Sequence, residues 1–441
     1  MIDETKTLIF CMTMIVLKTA AYGQDNVTTS QKGIALHPVA KGWSQNSVNA
    51  TVFRKDPITS FKNIQYIAFY DSLANVVVGK RKLGARDWEL KVTGFKGKAK
   101  DAHNGISIIT DGDGYLHIAW DHHGNALRYS RSMAPGSLSF TEKMPMTGLK
   151  EINVTYPQFF KMPDGNLIFL YRDGSSGSGD LVMNYYSTKS KSWTQRQSNL
   201  IDGEKKRNAY WQMDLDKKGT IHLSWVWREG PDVATNHDLC YARSRDGGIT
   251  WEQTSGKKYQ LPITMGSAEY ALRIPQNSEL INQTSIAADA EGNPFIATYW
   301  RSADSKIPQY RLVYQHAGEW RMQQIGSRTL GFTLSGKGTK KIPIARPQII
   351  IQKNGKPIVI FRDQERGFKV SAAISDNLLE ASWTIRDLTE SGVDEWEPSY
   401  DTELWKAKKR LNLYVQKVSQ ADGEGIAKTA QQMIYVMEWK P

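Results

Sequence analysis

Short runs in which apolar residues alternate with other residues recur along the chain, and no long amphipathic helical pattern is present. Between Asp101 and Tyr129, for example, Ile106 and Ile108 precede the turn Asp111–Gly114, and Leu116 and Ile118 follow it. A period of two residues with a glycine-containing turn predicts an antiparallel hairpin. Because the two strands run in opposite directions, we expect His103–Asn104 and Asp121–His123 to meet at one edge.

This unit repeats. Each copy has a second strand that is apolar, ends in an aromatic residue and is followed by a polar or charged one. The aromatic residues of the seven copies are Tyr70, Trp120, Tyr171, Trp227, Trp300, Phe361 and Tyr414. Their spacing of roughly 50 to 70 residues is typical of propeller blades. The sequence therefore predicts an all-β, seven-bladed β-propeller, as one domain over residues 30–441.

Two further features agree with a propeller. The strand pattern Met433 to Trp439 is expected to pair with N-terminal residues and so close the ring. The segment Ser244–Trp251 fits the Asp-box pattern S-x-D-x-G-x-T-W, in which Ser and Asp close a turn between outer strands and Trp packs between blades. The Asp-box indicates the fold and carries no information on activity.

The repeats predict a ring of polar residues at one mouth of the propeller, because the start of strand one and the end of strand two of every blade share a face. The strand starts supply Gln45, His103, Tyr156, Tyr210, Asn282, Arg346 and Glu397. The strand ends supply Asp71, Asp121 to His123, Arg172, Arg228, Arg301, Arg362 and Gln416. A single arginine here is best explained by pairing with a nearby carboxylate, whereas the ring as a whole predicts an anion-binding site.

The residue types of this ring suit removal of a proton from a uronic acid. Arginine can bind the sugar carboxylate, and histidine or tyrosine can act as base and acid. His103, His123, Tyr156 or Tyr210, with Arg172 or Arg207, form the set that this chemistry would use. A glycosidase normally needs two flanking carboxylates, which here would come from different blades.

Composition and charge limit the classes of binding partner that this chain is expected to have. The net charge of +12 favours an anionic partner, but Lys and Arg are scattered and form no nucleic-acid-binding stripe. Fourteen Trp and nineteen Tyr fit stacking on sugar faces or β-rich packing. Residues 1–23 resemble a secretory signal, with an apolar core from Leu8 to Leu17 that is too short to span a bilayer. We therefore expect an exported protein, periplasmic or secreted, acting as a monomer on an acidic plant or algal glycan.

The chain resembles the BNR-repeat propellers of carbohydrate-degrading bacteria over nearly its full mature length. The segments that carry the likeness are Ala102–Asn104, Trp120–His123, Tyr171–Gly174, Arg207–Trp211 and the Asp-box. One branch of such proteins, the ulvan lyases, performs uronate β-elimination with His, Tyr and Arg residues. The other branch, the α-L-rhamnosidases of gut Bacteroides, removes L-rhamnose linked α-1,4 to glucuronic acid on arabinogalactan, and looks closer over Trp43–Asn49 and Tyr210–Cys240.

The resemblance implies an α-L-rhamnosidase-type propeller as the first interpretation, with low activity because Gln45 stands where the family has a catalytic histidine. Glutamine cannot exchange a proton near neutral pH. The candidate catalytic residues are Gln45, His103, His123, Tyr156 and Tyr210. The candidate substrate-binding residues are Asn46, Asn104, Arg172, Arg207, Arg228, Asn282, Arg301, Arg346 and His237.

Two alternatives stay open. One is a uronate lyase that uses the pocket containing His103 and His123. The other is a non-catalytic protein that binds anionic glycans. No metal or cofactor is expected, because His122 and His123 are adjacent on an extended segment and point to opposite faces.

Overall fold

A computed structural model describes residues 26–50 and 56–441, so the predicted signal segment 1–23 lies outside the described residues. Strand β1 (Ile34–Gly42) comes first and is followed by a 3-10 turn at Ser47–Asn49. The next strands are β2 (Ile58–Phe61), β3 (Ile64–Tyr70), β4 (Asn75–Lys82), β5 (Glu89–Lys96), β6 (Ile106–Thr110), β7 (Leu116–Trp120), β8 (His123–Asn125), β9 (Tyr129–Arg131), β10 (Val154–Lys161), β11 (Leu167–Ser175), β12 (Ser178–Ser187) and β13 (Ser192–Gln197).

The second half of the chain continues this pattern, with 3-10 turns at Val233–Thr235 and Gln364–Arg366. Its strands and its one α-helix are β14 (Asn208–Leu215), β15 (Ile221–Arg228), β16 (Asn236–Ser244), β17 (Glu269–Leu272), β18 (Ser285–Ala288), β19 (Pro294–Trp300), β20 (Gln309–His316), β21 (Glu319–Ile325), β22 (Gln348–Ile351), β23 (Pro357–Asp363), β24 (Lys369–Asn377), β25 (Ser382–Asp387), β26 (Ser399–Tyr400), α1 (Thr402–Lys408), β27 (Leu411–Gln416) and β28 (Gln432–Trp439).

The described strands form seven antiparallel sheets, which confirms the seven-bladed propeller. Blades one, four, five and six each contain four consecutive strands, β2–β5, β14–β17, β18–β21 and β22–β25. The seventh blade has the order β1-β28-β27-β26, and β1 pairs with β28 from Ile34↔Trp439 onwards. The two ends of the described chain therefore share a blade, as the sequence predicted.

The inner strands are buried on both faces. Every residue of β6, β7, β15 and β27 is buried, including polar residues such as Ser107 and His117. Each sheet packs against two neighbouring blades, so neither face of these inner strands meets solvent. His117 is accommodated because its Nδ1 hydrogen-bonds the Tyr129 hydroxyl at 2.8 Å and its Nε2 lies 3.3 Å from Asp111.

Two strands differ from the predicted repeat. The innermost strand of blade one begins at Ile58, so the prediction that it begins at Gln45 is wrong. Blade two has three described strands, β6, β7 and β9, and isolated bridges to Phe140 and Met144 stand in place of a fourth. Strand β8 pairs with β10 of blade three, which places His123 opposite Thr155 in the sheet of the next blade.

The Asp-box has the predicted structural role. Asp246 accepts hydrogen bonds from the Ser244 hydroxyl (2.9 Å), the Thr250 hydroxyl (2.6 Å) and the backbone N–H groups of Ile249 and Thr250. Trp251 is 1 % exposed and belongs to the apolar cluster shared by blades three and four. The Asp-box thus closes a turn and joins two blades.

We expect Asp246→Ala to lower the free energy of unfolding by about 2 kcal/mol, since the turn loses its shared acceptor. Denaturant titration would measure this loss. Asp113→Ala, in an exposed turn of blade two, is the matched control and should change stability by less than about 0.5 kcal/mol. Equal effects of the two substitutions would contradict the structural role of the Asp-box.

Among the described residues, no helix is long and apolar enough to cross a lipid bilayer.

Candidate functional site at the mouth of blades two to four

Two histidines of blade two stack on each other at the mouth of the propeller. His103 lies in the turn before β6, and His123 begins β8. Their ring centroids are 4.0 Å apart with the planes inclined by 21°. The side chain of His103 is 9 % exposed and that of His123 is 38 % exposed. The prediction that these two residues meet at one edge is confirmed.

The Asp101 carboxylate is hydrogen-bonded to the rings of both His103 and His123. Its Oδ1 lies 2.8 Å from His103 Nδ1, and its Oδ2 lies 2.6 Å from His123 Nδ1. Burial by itself would raise the pKa of the Asp101 carboxyl, but hydrogen bonds from His103 and His123 outweigh it and hold the pKa well below its usual range. An ionised carboxylate only accepts hydrogen bonds, so both Nδ1 atoms must carry protons. This leaves the Nε2 atom of a neutral ring with its lone pair.

Burial lowers the pKa of His103 from its ordinary value, and the Asp101 hydrogen bond offsets burial only in part. His103 is therefore neutral at neutral pH and has the protonation state of a base. His122 lies apart from the pair. It is fully buried, and burial lowers its pKa to about 3. Its Nε2 accepts a hydrogen bond from the backbone N–H of Arg128 at 2.7 Å.

Two tyrosines continue the site from blade two into blades three and four. Tyr156 lies on β10 with its ring centroid 6.0 Å from that of His103, and Tyr210 on β14 lies a further 6.0 Å from Tyr156. Tyr156 has a φ of 56° and sits where the register between β10 and β11 shifts. A left-handed backbone is rare for an aromatic residue, and such bulges redirect side chains beside functional sites.

The two phenols have opposite proton affinities. Burial raises the pKa of Tyr156, and the neighbouring Tyr210 adds to the shift. For Tyr210, burial is outweighed by the charges of Arg228 and Arg172, so its pKa lies below the ordinary value for tyrosine. Neighbouring groups whose environments separate their pKa values are typical of acid–base sites. Tyr156 is the member of the pair that binds its proton more tightly.

Arg172 is a buried cation with few partners. It is 5 % exposed, and its guanidinium lies 5.1 Å from the centroid of the Tyr156 ring. Its Nη2 donates to the Thr155 hydroxyl at 3.2 Å, whereas Nε and Nη1 are buried without a hydrogen-bond partner among the described residues. Burying an unpaired guanidinium is costly. The carboxylate of a ligand would balance this charge and accept hydrogen bonds from the guanidinium.

Arg228 lies beside Tyr210, 5.3 Å from its ring centroid. It donates to the backbone carbonyls of Gly230 and Pro231. Backbone carbonyls carry no net charge, so Arg228 adds to the positive potential around Tyr210 and Arg172. We call His123, His103, Tyr156, Tyr210, Arg172 and Arg228 the mouth arc.

The other predicted arginines are paired with carboxylates, as the sequence pattern predicted for single arginines in the ring. Arg346 lies 2.6 Å from Glu397 and donates to the carbonyl of Asn282 at 2.9 Å. Arg301 lies 2.6 Å from Glu279. Within the predicted ring, the unpaired positive charge is concentrated in blades three and four.

Arg207 and His237 form a second charged cluster in blade four. Arg207 Nε lies 2.7 Å from Glu229, and Glu204 binds the same guanidinium. His237 lies between Glu229, at 2.9 Å, and Asp238, at 3.1 Å, and these hydrogen bonds raise its pKa against the effect of burial. Their role as substrate-binding residues stays a prediction.

The predicted amide residues at the mouth have local partners. Asn46 accepts from the Trp43 indole N–H at 3.0 Å and donates to the Ala99 carbonyl at 2.8 Å. Asn104 donates to the Lys98 carbonyl at 3.1 Å, while its side-chain oxygen is buried without a partner among the described residues. Gln45 lies outside the mouth arc, in a hollow with Trp43 and Thr429.

The sequence pointed to the wrong carboxylate beside the histidines. Asp121 is 3 % exposed and binds Arg128 at 2.9 Å and the Lys98 N–H at 2.8 Å. The carboxylate that meets both rings is Asp101. The spacing Asp101-Ala102-His103 was the available signal, because an aspartate in a turn commonly bonds the backbone two residues on. Asp101 does so as well, through the His103 N–H at 2.9 Å.

A groove of about 710 Å³ leads from the histidine pair towards blade one. Its walls include Trp43, Leu73, Lys98, Lys100 and Glu424. Leu73 is 72 % exposed, and both lysines are exposed. A long channel with exposed lysines and apolar surface suits an anionic polymer.

Within residues 26–50 and 56–441, Asp101, His103 and His123 form the one group of three side chains whose metal-binding atoms lie within 4.8 Å of one another. The hydrogen bonds of Asp101 to both Nδ1 atoms account for this arrangement without an ion. We therefore describe the group as a hydrogen-bonded cluster.

The amino-acid sequence of this chain is similar to a known family and to several ulvan lyases. A family model described as "BNR repeat-containing family member" matches residues 64–328, which is more than half of the chain. The long isoform of ulvan lyase from Pseudoalteromonas sp. (strain PLSV) is 23 % identical over 330 residues, which cover 59 % of this chain and 33 % of that protein. Ulvan lyase from Nonlabens ulvanivorans is 22 % identical over 298 residues, which cover 56 % of this chain and 61 % of that protein. The chain thus spans less than two thirds of the length of these relatives.

Solved structures share the architecture. The polysaccharide lyase Uly1 superposes with a TM-score of 0.68 at 16 % identity, covering 95 % of this chain and 99 % of that one. An ulvan lyase bound to -[GlcA(1-4)Rha3S]- superposes with a TM-score of 0.62 at 15 % identity, covering 91 % of this chain and 95 % of that one. At such identities the similarity establishes the propeller fold.

Proposed function

The chain belongs to the BNR repeat-containing family, and from this premise we propose that it is a polysaccharide lyase that cleaves uronate-containing anionic glycans by β-elimination. One observation carries the proposal. The buried guanidinium of Arg172, whose Nε and Nη1 atoms have no hydrogen-bond partner among the described residues, lies against Tyr156, which neighbours a histidine that is hydrogen-bonded to Asp101. The relatives named as ulvan lyases support the same chemistry.

The reaction needs three groups and consumes no water. A base removes the proton from C5 of the uronate, and the electrons of that C–H bond form the C4=C5 double bond. The C4–O4 bond breaks, and an acid protonates the departing O4. A cation at the carboxylate is needed because negative charge develops there as the proton leaves C5.

We assign these tasks from the protonation states. Arg172 binds the uronate carboxylate, supported by Arg228. His103 removes the C5 proton through Nε2, since burial keeps this ring neutral while Asp101 fixes its tautomer. Tyr156 protonates O4, since its raised pKa keeps it protonated. His123, more exposed and stacked on His103, lies at the groove where the glycan would enter.

The rhamnosidase interpretation has less support. The relatives compared above are lyases, and Gln45, on which that interpretation depends, lies in a hollow apart from the mouth arc. The lyase alternative uses the residues that the fold brings together. A polymeric substrate is also consistent with the export that residues 1–23 predict, because a long anionic glycan does not cross a membrane unaided.

A direct assay tests the proposal. The purified protein is incubated with ulvan, with a glucuronate-bearing arabinogalactan and with a neutral glucan, and the ultraviolet absorbance of the unsaturated uronate is followed. We expect absorbance to rise with an anionic glycan and to stay flat with the neutral one. The absence of any rise would refute the lyase. Free rhamnose from the arabinogalactan would then indicate a rhamnosidase, and calorimetric binding without product would indicate a glycan-binding protein.

A further inference from the structure

The loop of residues 417–431, between β27 and β28, crosses the mouth from blade seven towards blade two. On its inner side, the Ser419 N–H donates to the Ser44 carbonyl at 3.0 Å, and the Ala427 N–H donates to the Gln45 carbonyl at 2.7 Å. The Gln420 side chain accepts from the Ser47 hydroxyl at 2.8 Å. The base of this crossing loop is thus attached to the segment that enters blade one.

The tip of the crossing loop is fixed by the connection between blades five and six. Asp422 lies 2.7 Å from Lys340 and accepts from the Lys341 N–H at 3.1 Å. Gly338 allows the close approach, because a Cβ atom there would lie 3.0 Å from Glu424 Oε1 and 3.1 Å from the carbonyl carbon of Gly423. That connection is itself held to blade four by the hydrogen bond from Gly336 N–H to Asp232, at 2.7 Å.

These contacts bring a carboxylate to the histidine pair. Glu424 Oε1 lies 3.7 Å from His103 Nδ1, and the Glu424 side chain lines the groove that also contains Asp101 and His123. The distance is too long for a hydrogen bond, and the half-exposed Glu424 carboxylate adds an electrostatic attraction that is weaker than that of Asp101. His103 therefore faces Asp101 and Glu424 on its Nδ1 side, with His123 stacked on its face and Tyr156 beside it.

We propose that Glu424 is a positioning residue for His103, held in place by the Asp422–Lys340 ion pair, and that it adds to the hold of Asp101 on the His103 Nδ1 proton. This inference rests on the proposed lyase function for its kinetic consequence, whereas its structural consequence stands without it. Two carboxylates on one side of a buried imidazole favour the Nδ1–H tautomer, which leaves Nε2 as the proton acceptor. The crossing loop thus connects blades four, six and seven to the base on blade two.

Glu424→Gln keeps the shape of the side chain and removes its charge. For the lyase reaction we expect a roughly tenfold fall in kcat with KM changed less than about twofold, because the electrostatic support acts on the base. Lys340→Met should give a smaller fall of the same kind, and the double variant should be no worse than Glu424→Gln alone. Lys337→Met, an exposed position on the same connection, is the matched control and should leave kcat unchanged.

A second measurement does not depend on activity. In the ¹⁵N spectrum of the histidine side chains, His103 of the natural protein should show a protonated Nδ1 and an unprotonated Nε2, and Glu424→Gln should shift both signals measurably towards those of the Nε2–H tautomer. Unchanged signals would overturn the inference, whether or not the protein is a lyase. A rise in KM with an unchanged kcat would also overturn it, because Glu424 would then be a substrate contact. If the signals shift but no glycan is cleaved, the inference holds and the proposed function fails.

Discussion

Arg172→Met is expected to slow β-elimination sharply and to leave the protein as stable as before, or more stable. The arginine is buried with one hydrogen bond at 3.2 Å and two N–H groups without a partner among the described residues, so its loss removes an uncompensated charge. Replacing such a charge with an apolar side chain of similar length is neutral or stabilising. The same loss should lower kcat/KM by about a thousandfold, because nothing else of that geometry would balance the developing charge at the uronate carboxylate.

Thermal unfolding and initial rates on the same preparations would measure the two effects. The matched control is Arg328→Met. Arg328 is also buried, but it lies 2.7 Å from Asp363 and donates to the carbonyls of Pro308 and Leu330. Removing Arg328 leaves the buried carboxylate of Asp363 without its ion-pair partner and should lower the free energy of unfolding by about 3 kcal/mol. If Arg172→Met destabilises the protein as much as Arg328→Met does, Arg172 is a structural residue and the anion site is wrong.

His103→Ala and Tyr156→Phe are each expected to lower kcat by roughly a hundredfold to a ten-thousandfold, since each removes one proton-transfer group. The pH profile of kcat/KM of the unsubstituted protein should report the pKa values of both proton-transfer groups. The base must be neutral, and burial lowers the pKa of His103, so the rising limb should lie below the ordinary histidine range. The acid must be protonated, and burial raises the pKa of Tyr156, so the falling limb should lie above the ordinary tyrosine range.

The variants should change these limbs selectively. Tyr156→Phe should remove the falling limb from the residual activity, and His103→Ala should remove the rising one. His316→Ala, at an exposed position at the end of β20, serves as the control and should retain full activity. A full rate in either site variant, or limbs that stay in place when the residue is removed, would show that the proton transfers belong to other groups.

Much of the architecture follows from local signals. Alternating apolar residues, glycine turns and the aromatic residue that ends each second strand act over a few residues, and they repeat seven times. The chain order of the blades, the β1–β28 closure and the Asp-box turn could therefore be predicted. The meeting of His103 with His123 also follows from one hairpin, because antiparallel pairing brings those positions together regardless of the other blades.

The state of each charged residue does not follow from local signals. Arg172 and Arg301 occupy equivalent positions in the sequence pattern, yet Glu279 neutralises Arg301, whereas Arg172 has only the Thr155 hydroxyl as a hydrogen-bond partner among the described residues. Glu424 reaches His103 from the far end of the chain because three loops meet over the mouth.

The sequence by itself determined the seven-bladed ring, its closure and the face on which the polar residues gather, since these depend on strand period and antiparallel pairing. Only the tertiary structure decided that Asp101 is the carboxylate between the histidines, that β8 joins the sheet of Tyr156, and that Arg172 keeps a free charge. The physical reason is that protonation and ion pairing depend on burial and on neighbours within a few ångströms, and most of those neighbours come from other blades.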